Sequence, residues 1–197
     1  MSVIGVLSYQ GGFARHLELL QRLGYSSVPV RSVEALESVD ALIIPGGEST
    51  TIGMLMERFG VLGEVTRRIA GGLPVFGTCA GLILLAAGIE ESNQPRIGAL
   101  DVTVRRNAYG RQIESFEADV RPAPGDGSDL LESGPFHGVF IRAPLIVRAG
   151  PGVTTLMAYE DRPVLVRQGS LLAATFHPEL SGDDRVHRYF LHEIVGI

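Results

Sequence analysis

The chain has 197 residues, 45% hydrophobic and 20% charged, so it is long enough for one domain with a substantial core and has an ordinary globular composition. A net charge of −5 without a basic run argues against nucleic acid as a partner. The single cysteine excludes an internal disulfide, and the first residues lack the pattern of a signal peptide. The longest apolar run, Leu82 to Ile89, is too short to cross a bilayer, so we expect a cytoplasmic protein without membrane contact.

All 17 basic residues are arginine, and the sequence contains no lysine. The absence of lysine excludes catalysis through a lysine Schiff base and the lysine of a Walker-type phosphate loop. We expect other side chains to carry any chemistry, and we predict no cofactor.

Short apolar runs alternate with helical stretches over the first half of the chain. The predicted strands are Val3–Leu7, Val28–Val30, Asp40–Ile44 and Pro74–Phe76. The predicted helices are Phe13–Leu23, Thr50–Phe59, Leu62–Ile69 and Leu82–Ala87. This alternation predicts an α/β fold, a three-layer, flavodoxin-like arrangement of a mostly parallel sheet with helices on both faces.

The second half is richer in strands and turns. Leu100–Arg106 and Gln112–Val120 flank the turn-rich Asn107-Ala108-Tyr109-Gly110, which predicts a hairpin. Added strands, partly antiparallel, are predicted at Val139–Arg142, Thr154–Tyr159, Val164–Gln168 and Leu171–Thr175. A helix is predicted from Asp183 to Val195, and Pro122–Ser128 is interpreted as a polar loop. Without a linker or repeat, we expect residues 1–197 to form a single domain.

The strongest motif is Gly77-Thr78-Cys79-Ala80-Gly81, between an apolar strand and an apolar helix. It is the cysteine version of the Gly-x-Ser-x-Gly nucleophile elbow, in which small flanking residues let the backbone turn sharply. A helix N-terminus also favours the thiolate, the species that attacks. The alternative is a buried, inert cysteine, but the two glycines in this context favour a nucleophile at Cys79.

A cysteine nucleophile needs a base, and His177 is the best placed of the five histidines. It stands in Phe176-His177-Pro178-Glu179, directly after a predicted strand, where catalytic residues of open α/β sheets collect. Glu179 is close enough in sequence to orient the imidazole, as in a catalytic triad. The alternative is a helix-capping turn.

The other histidines are interpreted as exposed or without a role. His187 and His192 are five residues apart, which does not place two metal ligands on one helix face, so we predict no metal site and surface positions for both. His137 is expected in a loop without a clear partner, and His16 is expected to be exposed on the first helix.

The segment Pro45-Gly46-Gly47-Glu48-Ser49-Thr50 lies between a predicted strand and a predicted helix. Its two glycines allow a tight turn that points N–H groups at an anion, so it is a candidate oxyanion loop. A phosphate loop would need the missing lysine. An ordinary turn with a serine helix cap remains the alternative.

With these motifs in this order, the sequence resembles the class I (triad) glutamine amidotransferases. Within that class it is similar to the glutaminase subunits of pyridoxal 5′-phosphate synthase, over nearly the whole chain. The segments that carry this resemblance are Gly46-Gly47-Glu48-Ser49-Thr50-Thr51, Gly77-Thr78-Cys79-Ala80-Gly81, Arg105-Arg106-Asn107, Gly110, Ser115-Phe116-Glu117, Phe140-Ile141-Arg142-Ala143-Pro144 and Phe176-His177-Pro178-Glu179.

The resemblance implies Cys79 as nucleophile, His177 as base and Glu179 as its orienter. It implies that L-glutamine is held by Gly47, Glu48, Ser49, Arg106, Ile141 and Arg142. An arginine suits the substrate carboxylate, and the backbone N–H groups of Gly47 and Ala80 suit an oxyanion. The implied partner is a TIM-barrel pyridoxal 5′-phosphate synthase subunit, which would use the ammonia within a heteromeric complex.

Two departures from the family pattern lie near the N-terminus. Relatives usually have Leu-Gln-Gly after the first strand and Glu-His on the first helix, whereas this chain has Tyr9-Gln10-Gly11 and Arg15-His16. We expect this region to face the synthase. Two other functions stay open: an amidotransferase serving another synthase, such as one in histidine biosynthesis, and a non-catalytic scaffold or regulatory subunit.

Overall fold

The structure is a computed structural model that describes residues 2–106, 115–123, 131 and 133–197. Asn107 and Gly110, the turn they belong to, and most of the loop predicted at Pro122–Ser128 lie outside these residues.

Twelve strands form from the described residues. In chain order they are β1 (Val3–Leu7), β2 (Ser26–Val30), β3 (Ala41–Ile44), β4 (Val75–Thr78), β5 (Ala86–Ile89), β6 (Leu100–Arg105), β7 (Ser115–Pro122), β8 (Phe136–Ile141), β9 (Leu145–Ala149), β10 (Thr154–Tyr159), β11 (Arg162–Gln168) and β12 (Leu171–Ala174). The helices are α1 (Phe13–Arg22), α2 (Val33–Glu37), α3 (Ser49–Arg58), α4 (Val61–Ala70), α5 (Ala80–Leu85), a 3₁₀ turn (Pro178–Leu180) and α6 (Arg185–Tyr189), which continues as a π-helical segment (Phe190–Val195).

The larger sheet has the order β2-β1-β3-β4-β12-β11-β10-β7-β8 among the described strands. The first five strands of this order are parallel, and the remaining pairings are antiparallel. The order of the parallel half is that of flavodoxin-like folds, in which ligands bind at the carboxyl ends of the strands. The predicted fold class, including the added antiparallel strands, is confirmed.

Two hydrophobic clusters lie on opposite faces of this sheet, because side chains alternate along a strand. On β3, Leu42 and Ile44 belong to one cluster, together with buried residues of α2, α3 and α4. Ala41 and Ile43 belong to the other, together with buried residues of α1 and α6. The helices therefore cover both faces, as predicted, and hold the strand ends in place.

The predicted hairpin of Leu100–Arg106 with Gln112–Val120 is wrong. In the structure β6 pairs with β5 and β9 in a separate three-stranded sheet. In contrast, β7 pairs with β8 and β10 in the larger sheet. Each strand buries one face in a different hydrophobic cluster, through Val102 and Val104 for β6 and through Val120 for β7.

The predicted helix Leu82–Ala87 ends earlier, at Leu85, because Ala86–Ile89 pairs with β6 as strand β5. Strand β9 and the short helix α2 were not predicted. None of the helices in the described part of the chain has the length and apolarity needed to span a bilayer.

Candidate active site

Cys79 lies at the sharp turn between β4 and α5. Its backbone has φ 49° and ψ −99°, a conformation that side-chain-bearing residues rarely adopt. The backbone N–H of Cys79 donates to the carbonyl of Ala174 on the neighbouring strand, at 2.8 Å. The turn is tight: a Cβ on Gly77 would lie 2.6 Å from the carbonyl carbon of Gly81, and one on Gly81 would lie 2.0 Å from the carbonyl oxygen of Ile44. These contacts explain why glycine stands on both sides of the elbow.

His177 follows β12, which is the strand parallel to β4, so the cysteine and the histidine leave the sheet side by side. Its backbone N–H donates to the carbonyl of Val139 on β8, at 2.8 Å. Its ring lies against the glycine loop, since a Cβ on Gly46 would be 2.3 Å from its Cε1. His177 does stand at the N-cap position of the following 3₁₀ turn, as the alternative expected, but its side chain makes no capping hydrogen bond to that turn.

Glu179 contacts the imidazole of His177. Its Oε1 lies 2.8 Å from Nδ1 of His177, and its side chain is 1% exposed. Burial alone would raise the pKa of Glu179, but the hydrogen bond and the positive charge of His177 act against burial, and the pKa is lowered. The carboxylate is therefore ionised at neutral pH and fixes Nδ1–H of His177 as a donor.

The charge on His177 depends on both of its neighbours. Burial lowers its pKa, but the hydrogen bonds and negative charges of Cys79 and Glu179 raise it to about 10. Because Nδ1 contacts Glu179, the other ring nitrogen, Nε2, is the one available to Cys79. The imidazole is therefore held as a cation at neutral pH, ready to donate a proton beside the sulfur.

The three side chains open into a cleft of about 320 Å³. This volume is at the lower end of the range for small-molecule sites. The cleft brings together nine of the ten residues named from the sequence, and only Ala80 is not among those that line it: the lining includes Gly47, Glu48, Ser49, Cys79, Arg106, Ile141, Arg142, His177 and Glu179. Sγ of Cys79 lies 3.7 Å from the carbonyl oxygen of Ile141.

The glycine loop lines the same cleft as Cys79, and helix α5 begins at the residue after Cys79. Ala80 is the first residue of α5, so its N–H has no acceptor within the helix. The loop is anchored by two bonds: Gly46 N–H donates to Oγ1 of Thr78 at 3.1 Å, and Gly12 N–H donates to the carbonyl of Gly46 at 3.1 Å. Gly47 lines the cleft and Ala80 directly follows Cys79, so their N–H groups are the candidates for an oxyanion site.

Glu48, and not Ser49, caps α3. Its carboxylate accepts hydrogen bonds from the N–H groups of Thr50 and Thr51, at 3.2 and 2.7 Å. Burial would raise the pKa of Glu48, but these hydrogen bonds lower it. The turn does start a helix, as the alternative expected. The expectation that a serine caps this helix is wrong, because the capping residue is Glu48.

Arg106 lies at one end of the cleft and is held by three side chains. Its guanidinium donates to Oε1 of Gln94 at 2.7 Å, to Oγ1 of Thr50 at 3.1 Å and to Oε1 of Glu48 at 3.2 Å. Arg142 also lines the cleft and has an unusual positive φ of 44°. Two arginines at a small cleft suit a carboxylate ligand.

Gln94 was not found from the sequence. Its Oε1 also accepts from the hydroxyls of Ser49 and Thr50, both at 3.2 Å, and its side chain is buried. It therefore ties Arg106 to the start of α3. No pattern marks it, because the contacts join three separate segments of the chain.

His16 and His187 are fully buried, so the expectation of surface positions is wrong for both. Nδ1 of His16 lies 3.0 Å from Nε2 of His187, and Nε2 of His16 lies 3.4 Å from Oε2 of Glu179. A signal was present: Leu19 and Leu20 follow His16 by three and four residues and are buried, which places all three on one helix face. Phe190 and Leu191 have the same relation to His187.

The two remaining histidines lie away from the cleft. His192 is exposed, as expected, and its Nε2 lies 3.0 Å from the hydroxyl of Tyr25. His137 belongs to strand β8 and not to a loop, and its Nε2 lies 2.9 Å from a carboxylate oxygen of Glu117, so the expectation that it has no partner is wrong. Among the described residues, no group of three or more histidine, cysteine or acidic side chains could hold a metal ion.

Known proteins resemble this chain over nearly its whole length. The SNO glutamine amidotransferase family matches residues 6–196. The pyridoxal 5′-phosphate synthase subunit PdxT of Pelotomaculum thermopropionicum is 53% identical over 192 residues, which are 98% of this chain and 95% of that protein. The protein of the same name from Thermus thermophilus is 53% identical over 197 residues, covering 99% and 98%.

Solved structures agree in fold. A crystal structure of a glutamine amidotransferase is 52% identical, has a TM-score of 0.90, and the match covers 98% of this chain and 99% of that one. The structure of PurLQS from Thermotoga maritima has a TM-score of 0.73 over 98% of this chain and 99% of that one, but at 18% identity it shows the fold alone. The family match and the half-identical relatives together show that this chain belongs to the SNO glutamine amidotransferase family.

Proposed function

We propose that this protein hydrolyses L-glutamine to L-glutamate and ammonia, and that the ammonia serves a partner that makes pyridoxal 5′-phosphate. The observation that carries the proposal is the contact of His177 with both Cys79 and Glu179 at the edge of one small cleft. The printed names of the half-identical relatives support the choice of synthase.

In the proposed first step, the Cys79 thiolate attacks the side-chain amide carbon of glutamine and a C–S bond forms. The negative charge that develops on the amide oxygen is stabilised by the N–H groups of Gly47 and Ala80. His177 donates its Nε2 proton to the amide nitrogen, the C–N bond breaks, and ammonia leaves a thioester on Cys79.

In the second step, His177 acts as a base. The thioester sulfur carries no charge, so one of the two influences that raise the pKa of His177 is gone, and the pKa of the imidazole falls. The neutral ring takes a proton from water, the hydroxide attacks the thioester carbon, and the C–S bond breaks. The new side-chain carboxyl group releases its proton to solvent, glutamate leaves, and Cys79 and His177 return to their starting charges.

We propose that glutamine is oriented by Arg106 and Arg142 at its α-carboxylate, with Glu48, Ser49 and Ile141 at the cleft wall. Arg106 is already fixed by hydrogen bonds to three side chains, so little of its conformational freedom remains to be lost on binding. The same cleft has no phosphate-binding lysine, since the chain contains none.

The partner we propose is a TIM-barrel synthase subunit that docks beside the glycine loop. Gln10 donates from Nε2 to the carbonyl of Glu48 at 3.1 Å, and a Cβ on Gly11 would lie 1.9 Å from the carbonyl oxygen of Gly46, so this segment touches the candidate oxyanion loop. Next to it the ring of Tyr9 stacks on the half-exposed ring of Phe59. We further propose that residues 1–197 are one cytosolic domain, because both sheets share a hydrophobic cluster and a free thiol is kept reduced in the cytosol.

The test is glutamate release by the purified full chain, alone and with excess synthase subunit. We expect slow hydrolysis alone and at least about a hundredfold faster hydrolysis with the synthase, because docking beside Gly46 and Gly47 would fix the orientation of the peptide between them, and one oxyanion donor contributes on the order of 3 kcal/mol. Equal kcat in both conditions would remove the activation by docking. Hydrolysis in neither condition would favour a non-catalytic subunit, and activation by a different synthase alone would favour another pathway.

A further inference from the structure

Behind the triad lies a buried row of side chains that the proposed mechanism does not use. Oε2 of Glu179, the carboxylate oxygen that faces away from His177, lies 3.4 Å from Nε2 of His16. On the far side of His16, Nδ1 lies 3.0 Å from Nε2 of His187. Both histidine side chains are completely buried, on helices α1 and α6 that pack on the same sheet face.

One arrangement of protons points the ring N–H groups of both His16 and His187 at acceptor atoms. If Nε2 of His16 carries the proton, it faces the ionised Glu179, and its bare Nδ1 accepts from Nε2–H of His187. The remaining nitrogen, Nδ1 of His187, is then a bare acceptor. It is buried without a hydrogen-bond partner among the described residues. Oε2 of Glu179 makes no other hydrogen bond there, so the N–H of His16 at 3.4 Å is the polar group that faces it.

The opposite tautomer is worse at both ends. With the proton on Nδ1 of His16, its bare Nε2 would face the carboxylate of Glu179, and the two lone pairs would repel. His187 would then have to carry its proton on the buried Nδ1, which has no acceptor there. Double protonation is also disfavoured, because burial lowers the pKa of His16 and lowers that of His187 to about 3.

The same nitrogen of His16 touches the glycine loop through Thr78. Nε2 of His16 lies 3.5 Å from Oγ1 of Thr78, and that oxygen accepts the N–H of Gly46 at 3.1 Å. The imidazole of His16 therefore stands between the carboxylate that orients His177 and the loop proposed to stabilise the oxyanion.

We propose that His16 is a positioning residue for the triad: a neutral imidazole protonated at Nε2 that holds the Glu179 carboxylate and the Thr78–Gly46 contact in register. His187 fixes this tautomer by donating to Nδ1 of His16. The proposal rests on the proposed glutamine hydrolysis, in which His177 works only while Glu179 orients it. Neither histidine touches the cleft, so their effect passes through Glu179 and Thr78.

The kinetic test compares His16→Leu, which has no ring nitrogen, with His16→Gln, whose amide NH₂ reaches the position of Nε2. Glutamate release is measured with the full chain and the synthase subunit present. We expect His16→Leu to lower kcat about tenfold with KM within about twofold, because a donor to a charged group is lost outside the substrate cleft. We expect His16→Gln to recover most of kcat. His192→Leu is the matched control, since His192 is exposed on the terminal helical segment.

A second measurement reads the tautomer without any activity. In the full chain with ¹⁵N-labelled histidine, assigned by the variants above, we expect both His16 and His187 to be neutral with the proton on Nε2 from pH 6 to 8. The ionisable groups that face this pair are Glu179, His177 and Arg22.

The outcomes separate this proposal from the proposed function. An Nδ1–H or doubly protonated His16 would overturn the proposal even if the protein hydrolyses glutamine. So would an unchanged kcat in His16→Leu, or a loss in His16→Gln as large as in His16→Leu. If His16→Leu does not fold, the His16→Gln kinetics and the tautomer decide. If the wild type shows no hydrolysis, the proposed function fails, and the positioning role fails with it.

Discussion

The two ends of the cleft are built differently. At the triad end, Cys79 and the side chains of His177 and Glu179 are at most 10% exposed, and all three residues follow strands of the parallel sheet. At the other end, the side chains of Arg106 and Glu48 are 31% and 43% exposed. Arg106 directly follows strand β6 of the small sheet, and Glu48 is the N-cap of helix α3.

The difference shows where each kind of interaction is effective. Charges interact strongly where water is excluded, and two of the triad groups accordingly have strongly shifted pKa values. Near the surface, solvent weakens each charge pair, so Arg106 depends on several hydrogen bonds acting together. We therefore expect substitutions at the buried end to lower kcat and substitutions at the exposed end to raise KM.

The largest expected effect is at Cys79. Replacing Cys79 by alanine removes the only thiol in the chain and should abolish glutamine hydrolysis while the fold persists, because the change in volume is small. Glutamate release with the synthase subunit present measures the loss, and circular dichroism checks the fold. Activity within about tenfold of the wild type would contradict the role of Cys79 as nucleophile.

The next effect separates the base from its orienter. His177→Asn should be nearly as damaging as the loss of Cys79, whereas Glu179→Gln should retain measurable turnover, because an orienter contributes less than the base. The kcat values of the two variants, measured side by side, give the ranking. A lower kcat in Glu179→Gln than in His177→Asn would mean that these two roles are assigned wrongly.

Much of the buried end was predictable from the sequence. Strands β1, β3, β4 and β12 are short apolar runs bounded by turn residues, because both of their faces are covered by helices. The elbow glycines mark Cys79 for a steric reason that the structure makes visible. His177 then follows from its position after a strand.

The errors arose where the local pattern allows two structures. The apolar run from Leu82 to Ile89 fits a helix or a buried strand, and the structure contains one followed by the other. Adjacent strands joined by a turn-rich segment usually pair, but β6 and β7 join different sheets. His16 was expected to be exposed from its residue type, although its spacing from Leu19 and Leu20 places it on the buried face.

The exposed end was predictable only through resemblance to a family. Arg106 and Arg142 are two of 17 arginines, and no spacing distinguishes them. Gln94 was missed because its contacts with Ser49 and Arg106 are long-range and depend on the assembled fold.

A smaller effect tests the exposed end through two neighbouring arginines. Arg106→Gln should raise KM for glutamine about tenfold or more with kcat largely kept, because a charge-assisted contact to the substrate carboxylate is lost. Arg105→Gln is the matched control, since Arg105 is paired with Glu90 on the exposed surface, and its KM should stay within about twofold of the wild type. Steady-state kinetics with the synthase subunit measure both variants. Equal KM values for the two would remove Arg106 from the binding site.

The smallest effect is a titration shift at the buried end, and it requires no turnover. In the wild type His177 should remain protonated through neutral pH and lose its proton near pH 10, because Cys79 and Glu179 both stabilise the cation. In Cys79→Ala one of these two influences is absent while Glu179 is unchanged, so the pKa of His177 should be lower than in the wild type. Histidine NMR of the full chain, recorded from pH 5 to about 11, follows the ring directly. A wild-type midpoint near 6.5, or the same midpoint in both proteins, would show that the sulfur does not hold the charge on His177, and the proposed proton donor for ammonia would have to be sought elsewhere.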